Sequence, residues 1–336
     1  MPDLSTVYLG LDLESPLVAS ASPLTSSLDS LVRLQDAGAA AVVLPSLFEE
    51  QIEHDEFTLH ARLEQGSHSF GEALTYLPEL EDYDTGTGSY LELIELAKGT
   101  LRIPVIASLN GATPGGWVRY AKLCEAAGAD AIELNVYAVE ARPETDGAAV
   151  ERRLLELTRE VRAAVAIPLA VKLGPFYSAF ANVATRLADA GVDGLVCFNR
   201  FLGPDLDLEA MRVEPTIHLS TPDELRLVLR WLAILRKRVP IDLAATGGIH
   251  SADDAIKAIL AGADVVMLAS SLLRHGPEHL TALRTGIAEW LAAREYVSSD
   301  QARGSMSQGA GPDPSAFERA QYVYALQRGA HGITRG

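Results

Sequence analysis

The chain is short of cysteine, of positive charge, of aromatic residues and of long apolar runs, and each shortage removes a class of protein. Two cysteines in 336 residues, Cys124 in a helical pattern and Cys197 in an apolar strand pattern, cannot build a disulfide framework, and a reducing cytoplasm is expected. Only 28 Lys+Arg stand against 45 Asp+Glu, so a net charge of −17 repels phosphate-coated surfaces, and neither nucleic acid nor an anionic membrane is an expected partner. No uninterrupted apolar run approaches the ~20 residues that span a bilayer. Met1-Pro2-Asp3-Leu4 lacks the basic-then-apolar order of an export signal. A cytoplasmic protein acting on a small molecule is left.

What is present is a repeating alternation. At 48% hydrophobic the chain can bury one large α/β barrel or two medium domains. Apolar strand patterns at 16–22, 39–44, 103–109, 131–135, 168–173, 194–199, 243–246 and 265–269 alternate with helical spacing. Three joints repeat between helix and strand: Ala127-Gly128-Ala129-Asp130, Ala190-Gly191-Val192-Asp193 and Ala261-Gly262-Ala263-Asp264. Runs too continuous for a half-exposed sheet argue for parallel strands covered on both faces, and eight of them predict a closed (β/α)8 TIM barrel. Two short strands meeting at Gly10 predict an N-terminal hairpin that plugs one end.

The whole chain, 1–336, reads as a single domain with two additions. Between Glu49 and Tyr90, after the second barrel strand, the alternation stops, and eleven acids face one base, Arg62. Such an insertion covers a site, makes an oligomer contact in a homodimer, or is a solvated acidic loop. The tail, 294–336, holds a Gly/Ser/Pro-rich loop and a helical pattern over 314–327, and no chemistry can be named for it.

In a (β/α)8 barrel the active face is made by the C-terminal ends of the strands. Those ends carry Ala19 and Ser20, Asn110, Asn135, Lys172, Asn199, then Thr246 with Gly247 and Gly248, and Ser270 with Ser271. Small residues after the first strand suit a flat ring, a phosphate, or plain packing. The last two loops form a phosphate cradle, because glycine lets backbone N–H groups approach an anion and a helix N-terminus adds partial positive charge. Three amides, one lysine and two phosphate loops point to a large polar heteroaromatic cofactor with one phosphate; no metal is expected. Lys172, flanked by apolar residues, needs an anion beside it or must be neutral. Three readings follow: an ion pair with Glu133, a charge facing a flavin, or a Schiff-base amine.

Over Val7 to Leu283 these motifs resemble the dihydroorotate dehydrogenase family of FMN-containing barrels. The resemblance rests on Pro16-Leu17-Val18-Ala19-Ser20, Asn135, Ala170-Val171-Lys172-Leu173-Gly174-Pro175, Phe198-Asn199, Thr246-Gly247-Gly248-Ile249 and Leu268-Ala269-Ser270-Ser271. It implies an FMN-dependent dehydrogenase acting on a CH–CH bond, dihydroorotate to orotate in pyrimidine biosynthesis. Lys172 would then contact the flavin, Asn135 would sit by flavin and substrate, and the two loops would hold the FMN phosphate. Departures matter as much. The family's Cys or Ser base position falls on Ala138 and its second asparagine on Glu140; the lysine expected after the second strand is absent from Val42-Val43-Leu44-Pro45-Ser46; a Gly-rich turn is replaced by Ile217-His218-Leu219-Ser220-Thr221-Pro222. Tyr137 and Glu140, and His54 or His68 from the insertion, are the remaining base candidates. Two other readings stay open: a non-catalytic flavin-binding subunit of a redox complex, and a phosphate-binding aldolase or isomerase with Lys172 as the amine.

Overall fold

Tyr8 and Leu9 are apolar residues next to a chain reversal at Gly10, and they fold inward under the sheet. In the computed structural model, which describes residues 1–48, 87–110, 114–137, 139–200, 203–214, 218–311, 314–318, 322–323 and 326, they belong to an antiparallel hairpin of β1 (Thr6–Tyr8) and β2 (Leu11–Leu13). The apolar runs that follow become β3 (Leu17–Ala19), β4 (Ala41–Phe48), β5 (Val105–Asn110), β6 (Ala131–Asn135), β7 (Leu169–Leu173) and β8 (Gly194–Cys197). A second exposed hairpin, β9 (Asp205–Asp207) with β10 (Arg212–Glu214), precedes β11 (Asp242–Thr246) and β12 (Val265–Leu268). Eight of these strands are parallel and close in the order β11-β12-β3-β4-β5-β6-β7-β8. The fold is a (β/α)8 barrel.

Two apolar cores result. Val18, Val43, Ile106, Ala131, Val196, Ala244 and Met267 fill the barrel interior and touch Tyr8, Leu9 and Leu13 of the first hairpin. The hairpin therefore plugs the N-terminal end, as its sequence predicts. Its Leu9 N–H donates to Asp242 Oδ2 at 2.7 Å, and a Cβ added to Gly194 would lie 2.6 Å from Leu9 Cδ2. The larger core lies between strands and the helices α1 (Leu28–Asp36), α2 (Thr87–Thr100), α3 (Pro114–Ala126), α4 (Gly147–Ala164), α5 (Phe180–Asp189), α6 (Leu225–Leu235), α7 (Ala252–Ala261), α8 (Ser270–His275) and α9 (His279–Ala293).

The three repeated joints do two jobs. Each glycine adopts a left-handed φ, between +87° and +129°, and the next residue donates its N–H back into the helix: Ala129 to Cys124, Val192 to Leu187, Ala263 to Ala258. That ends the helix in the way a Gly C-cap allows. The aspartate then accepts the N–H of the neighbouring strand's first or second residue: Asp130 from Val105, Asp193 from Leu169, Asp264 from Leu243.

Some boundaries differ from expectation. The insertion expected over 49–90 ends sooner, because α2 already begins at Thr87; residues 49–86, with His54 and His68, lie outside the described residues. The β9–β10 hairpin was not foreseen, since Leu206, Leu208, Met211 and Val213 are exposed and leave no burial pattern to read. Of the helix expected over 314–327, Pro314–Phe317 form a 3-10 turn, and the other described residues with regular structure, Tyr322, Val323 and Leu326, are helical. The start of the tail runs along the barrel's outside: Gly304 and Met306 donate to Ile259 and Leu260, and Gln308 to Ala233. Among the described residues no helix is long and apolar enough to cross a membrane.

Candidate active site at the barrel mouth

With one end plugged, the polar residues collect at the other. Strand register aligns Asn110 of β5 with Asn135 of β6, and Asn135 with Lys172 of β7, so three polar side chains stand in one row facing the same way. Ser108 and Glu133 form the row beneath. Lys172 is buried, and its Nζ lies 3.2 Å from Oε1 of Glu133, which is 1% exposed. The ion pair read from the sequence as one of three options is thus present. It meets the need for an anion but leaves the site unfinished: among the described residues Glu133 Oε2 has no hydrogen-bond partner, and an ammonium has three donors. Asn199, just past β8, donates Nδ2–H to Asn135 Oδ1 at 2.5 Å and its backbone N–H to Leu173 O at 2.8 Å.

Across the ring of strands lie the two loops expected to cradle a phosphate. Gly247 has φ +93° and nothing within 4 Å of where a Cβ would sit, so its face is open. Gly248 has another reason to be glycine: an added Cβ would meet the backbone N of Leu225 at 2.5 Å, so its bareness lets α6 pack close. Ser251 caps α7, accepting from Asp254 N–H at 3.2 Å. After β12, Ser270 and Ser271 open α8, where first-turn N–H groups have no acceptor in their own helix. Ser271 Oγ is buried without a partner among the described residues. Ser20 N–H donates to Leu268 O at 2.9 Å, placing Ala19 and Ser20 beside this loop.

The segment that replaces the expected Gly-rich turn ties the loops together. Ser220 donates its N–H to Ser270 Oγ at 3.0 Å, and its hydroxyl lies 3.4 Å from His250 Nε2. His250 is held below the ordinary histidine range, chiefly by burial and then by Arg274. Neither Ser220 nor His250 stood out in the sequence as a site residue; the only signal was that 217–222 departs from the family pattern.

A cavity of about 660 Å³ opens beside β6 and β7, between the loop after β6, α4, and the loop after β7. It reaches Asn199 but not Gly247 or Ser271. The two halves of the mouth connect through the Asn135–Asn199 bond and through Phe198 N–H, which donates to Thr246 O at 3.3 Å. Tyr137 and Glu140 both line the cavity. Glu140 accepts from Arg142 Nε at 2.8 Å and from Arg153 Nη2 at 2.5 Å, and these bonds, that to Arg142 first, hold its carboxyl far below the usual range. Ala138 lies outside the described residues. Neither cysteine serves the site: both are free and buried, and burial pushes the Cys124 thiol up to about 12 and that of Cys197 higher still.

A closed barrel with a plugged bottom and a polar, anion-ready top belongs to the (β/α)8 enzymes that work at their C-terminal strand ends. Comparison with known proteins narrows this. The family model described as dihydroorotate dehydrogenase matches residues 80–291, more than half of the chain. A dihydroorotate dehydrogenase B (NAD(+)) catalytic subunit of Methanocella arvoryzae is 28% identical over 267 residues, 78% of this chain and 85% of that one. Its counterpart in Methanothermobacter thermautotrophicus is 25% identical over 307 residues, covering 89% and 96%. A dihydroorotate dehydrogenase A (fumarate) of Lactobacillus delbrueckii is 30% identical over 209 residues, 60% and 66%. The chain belongs to the dihydroorotate dehydrogenase family; it is an oxidoreductase acting on a CH–CH bond, and its family generally binds flavin.

Proposed function

We propose that this chain is an FMN-dependent dehydrogenase of the dihydroorotate dehydrogenase type, a cytoplasmic homodimer oxidising a small cyclic substrate. The observation that carries it is the division of the barrel mouth into an anion-ready side and a polar row in register. The residues fit a flavin mononucleotide: an open glycine face at Gly247, an unpartnered buried hydroxyl at Ser271, and an ammonium and amides at Lys172, Asn135 and Asn110. Gly247, Gly248, Ser270 and Ser271 would hold the phosphate, Thr246, Ala19 and Ser20 would border it, and Asn110, Asn135, Lys172 and Asn199 would face the ring.

A bound flavin would supply hydride acceptance and onward electron transfer, chemistry that the side chains themselves lack. Lys172 would supply positive charge beside the ring, and Glu133 holds its ammonium in place. Tyr137, at the cavity, is the residue we assign to proton removal. Glu140 is the poorer base, since two guanidiniums stabilise its ionised form. The same logic weighs against a Schiff base: an ammonium clasped by a carboxylate has no lone pair to attack a carbonyl. Because Ala138 stands at the base position and the archaeal relatives are named as catalytic subunits, a flavin-binding role inside a larger assembly is the second reading.

Anaerobic titration with dihydroorotate tests this. Flavin bleaching in the purified chain supports a pyrimidine-pathway dehydrogenase. Yellow protein that stays oxidised supports a different substrate, or the subunit role if a co-purifying partner restores turnover. Colourless protein trapped by borohydride with a sugar phosphate would overturn the proposal.

A further inference from the structure

A proline inside a closed barrel sets a problem that the neighbouring strand has to solve. β4 carries Pro45 between Leu44 and Ser46, and because every strand of the ring has two partners, no edge is available to hide its missing N–H. The pairing of β4 with β5 therefore breaks. Val43 stands opposite Ile106 and Ser46 opposite Ser108, so Leu44 and Pro45 together face the single residue Ala107. That is a bulge. Ser108, at its far side, is fully buried, and a buried N–H or C=O left without a partner is costly.

The partner comes from outside the sheet. Tyr90, in the first turn of α2 and 1% exposed, reaches Ser108 with its hydroxyl, which accepts the Ser108 N–H at 2.8 Å and donates to the Ser108 carbonyl at 3.1 Å. One phenol oxygen thus does for this residue what a neighbouring strand does elsewhere. Burial, ahead of any nearby charge, pushes the phenol well above its ordinary range, so it stays a neutral donor and acceptor. Ser46 adds a second grip, its Oγ lying 2.8 Å from Ser108 Oγ. Beyond the bulge the pairing resumes through Leu47 with Leu109 and Phe48 with Asn110. Ser108 and Asn110 are two residues apart on β5 and share a face, and Asn110 is the first member of the polar row that continues through Asn135 to Lys172.

We infer that Tyr90 is a positioning residue for the flavin site: its hydroxyl fixes the end of β5 at the bulge and so sets where Asn110 stands in the polar row at the barrel mouth. Tyr90 acts through Ser108 and the strand, not by touching a ligand. This rests on the flavin reading and deepens it, by tying the ring's side of the mouth to a residue of the outer helical layer.

The test is a double-mutant cycle on FMN affinity, read from the flavin's fluorescence as FMN is titrated into the full-length chain stripped of flavin. Tyr90→Phe keeps the ring and removes only the hydroxyl. It should weaken FMN about tenfold, as should Asn110→Ala, each on the scale of one lost hydrogen bond. Together they should weaken it little more than either alone, because a misplaced Asn110 has no contact left to lose. Tyr8→Phe, which removes an equally buried hydroxyl that bonds nothing among the described residues, should leave the affinity as it is. Losses that multiply to about a hundredfold in the double variant would show a tyrosine that is merely structural and overturn the inference, as would an unchanged affinity in Tyr90→Phe. Should the melting curve show that Tyr90→Phe does not fold, Ser46→Ala takes its place in the cycle and is read by the same rule. Wild-type chain that binds no FMN overturns the flavin reading instead, and that is seen before any variant is compared.

Discussion

Lys172 and Glu133 show what a buried charge demands of its neighbours. Neither could remain ionised inside a barrel alone, and together they leave an ammonium at the mouth with donors to spare. Lys172→Met strands a carboxylate that is 1% exposed, and breaking a buried pair from one side costs about 3–5 kcal/mol. Urea denaturation at neutral pH should show that loss, and Lys172→Met/Glu133→Gln should recover most of it; a double variant as unstable as the single would show that the two are not coupled. His250 makes a pH-dependent contribution. Its folded pKa lies below its ordinary 6.5, so its stability contribution is complete above that value and is lost as pH falls below it, when the unfolded chain takes up the proton first. Melting temperature should therefore drop as pH falls below about 6.5, and His250→Asn should make that drop shallower. The strand-end residues were legible in sequence because a polar side chain closing an apolar strand has few other places to go. The roles of Ser220 and Arg153 were not, because loop and helix positions meet the site only through partners the sequence does not name.

Elements were legible in proportion to how repetitively they are built. The Gly–Asp joints announce a helix end and a strand start, and the structure shows both functions at all three. The β9–β10 hairpin escaped notice because its apolar residues face outward, and periodicity registers only burial. The paired glycines after β11 look alike in sequence and differ in the fold. Gly247→Ala should cost about 1–2 kcal/mol, the strain of a left-handed residue, and should weaken flavin retention. Gly248→Ala should cost more, since its methyl group meets the backbone of Leu225 and α6 must shift. Thermal denaturation of the two variants decides this; equal losses would mean that close packing of α6 does not set the requirement.

At the scale of the whole molecule, the barrel separates tasks between its ends. The lower end is stitched shut: Arg303 reaches Asp264 at 2.9 Å, Ser299 N–H donates to Asp3 O, and Leu9 N–H caps Asp242. The upper end gathers the cavity, the polar row and the two open loops. β6 stands opposite β12 in the ring, so an elongated ligand with a phosphate at one end spans the mouth. The most direct measurement of that claim is the absorption spectrum of the freshly purified full-length chain, followed by identification of whatever denaturation releases. The account predicts a yellow protein with oxidised-flavin bands that releases flavin mononucleotide, and a Gly247→Ala variant that retains less of it. Colourless protein that takes up no added flavin mononucleotide would contradict it.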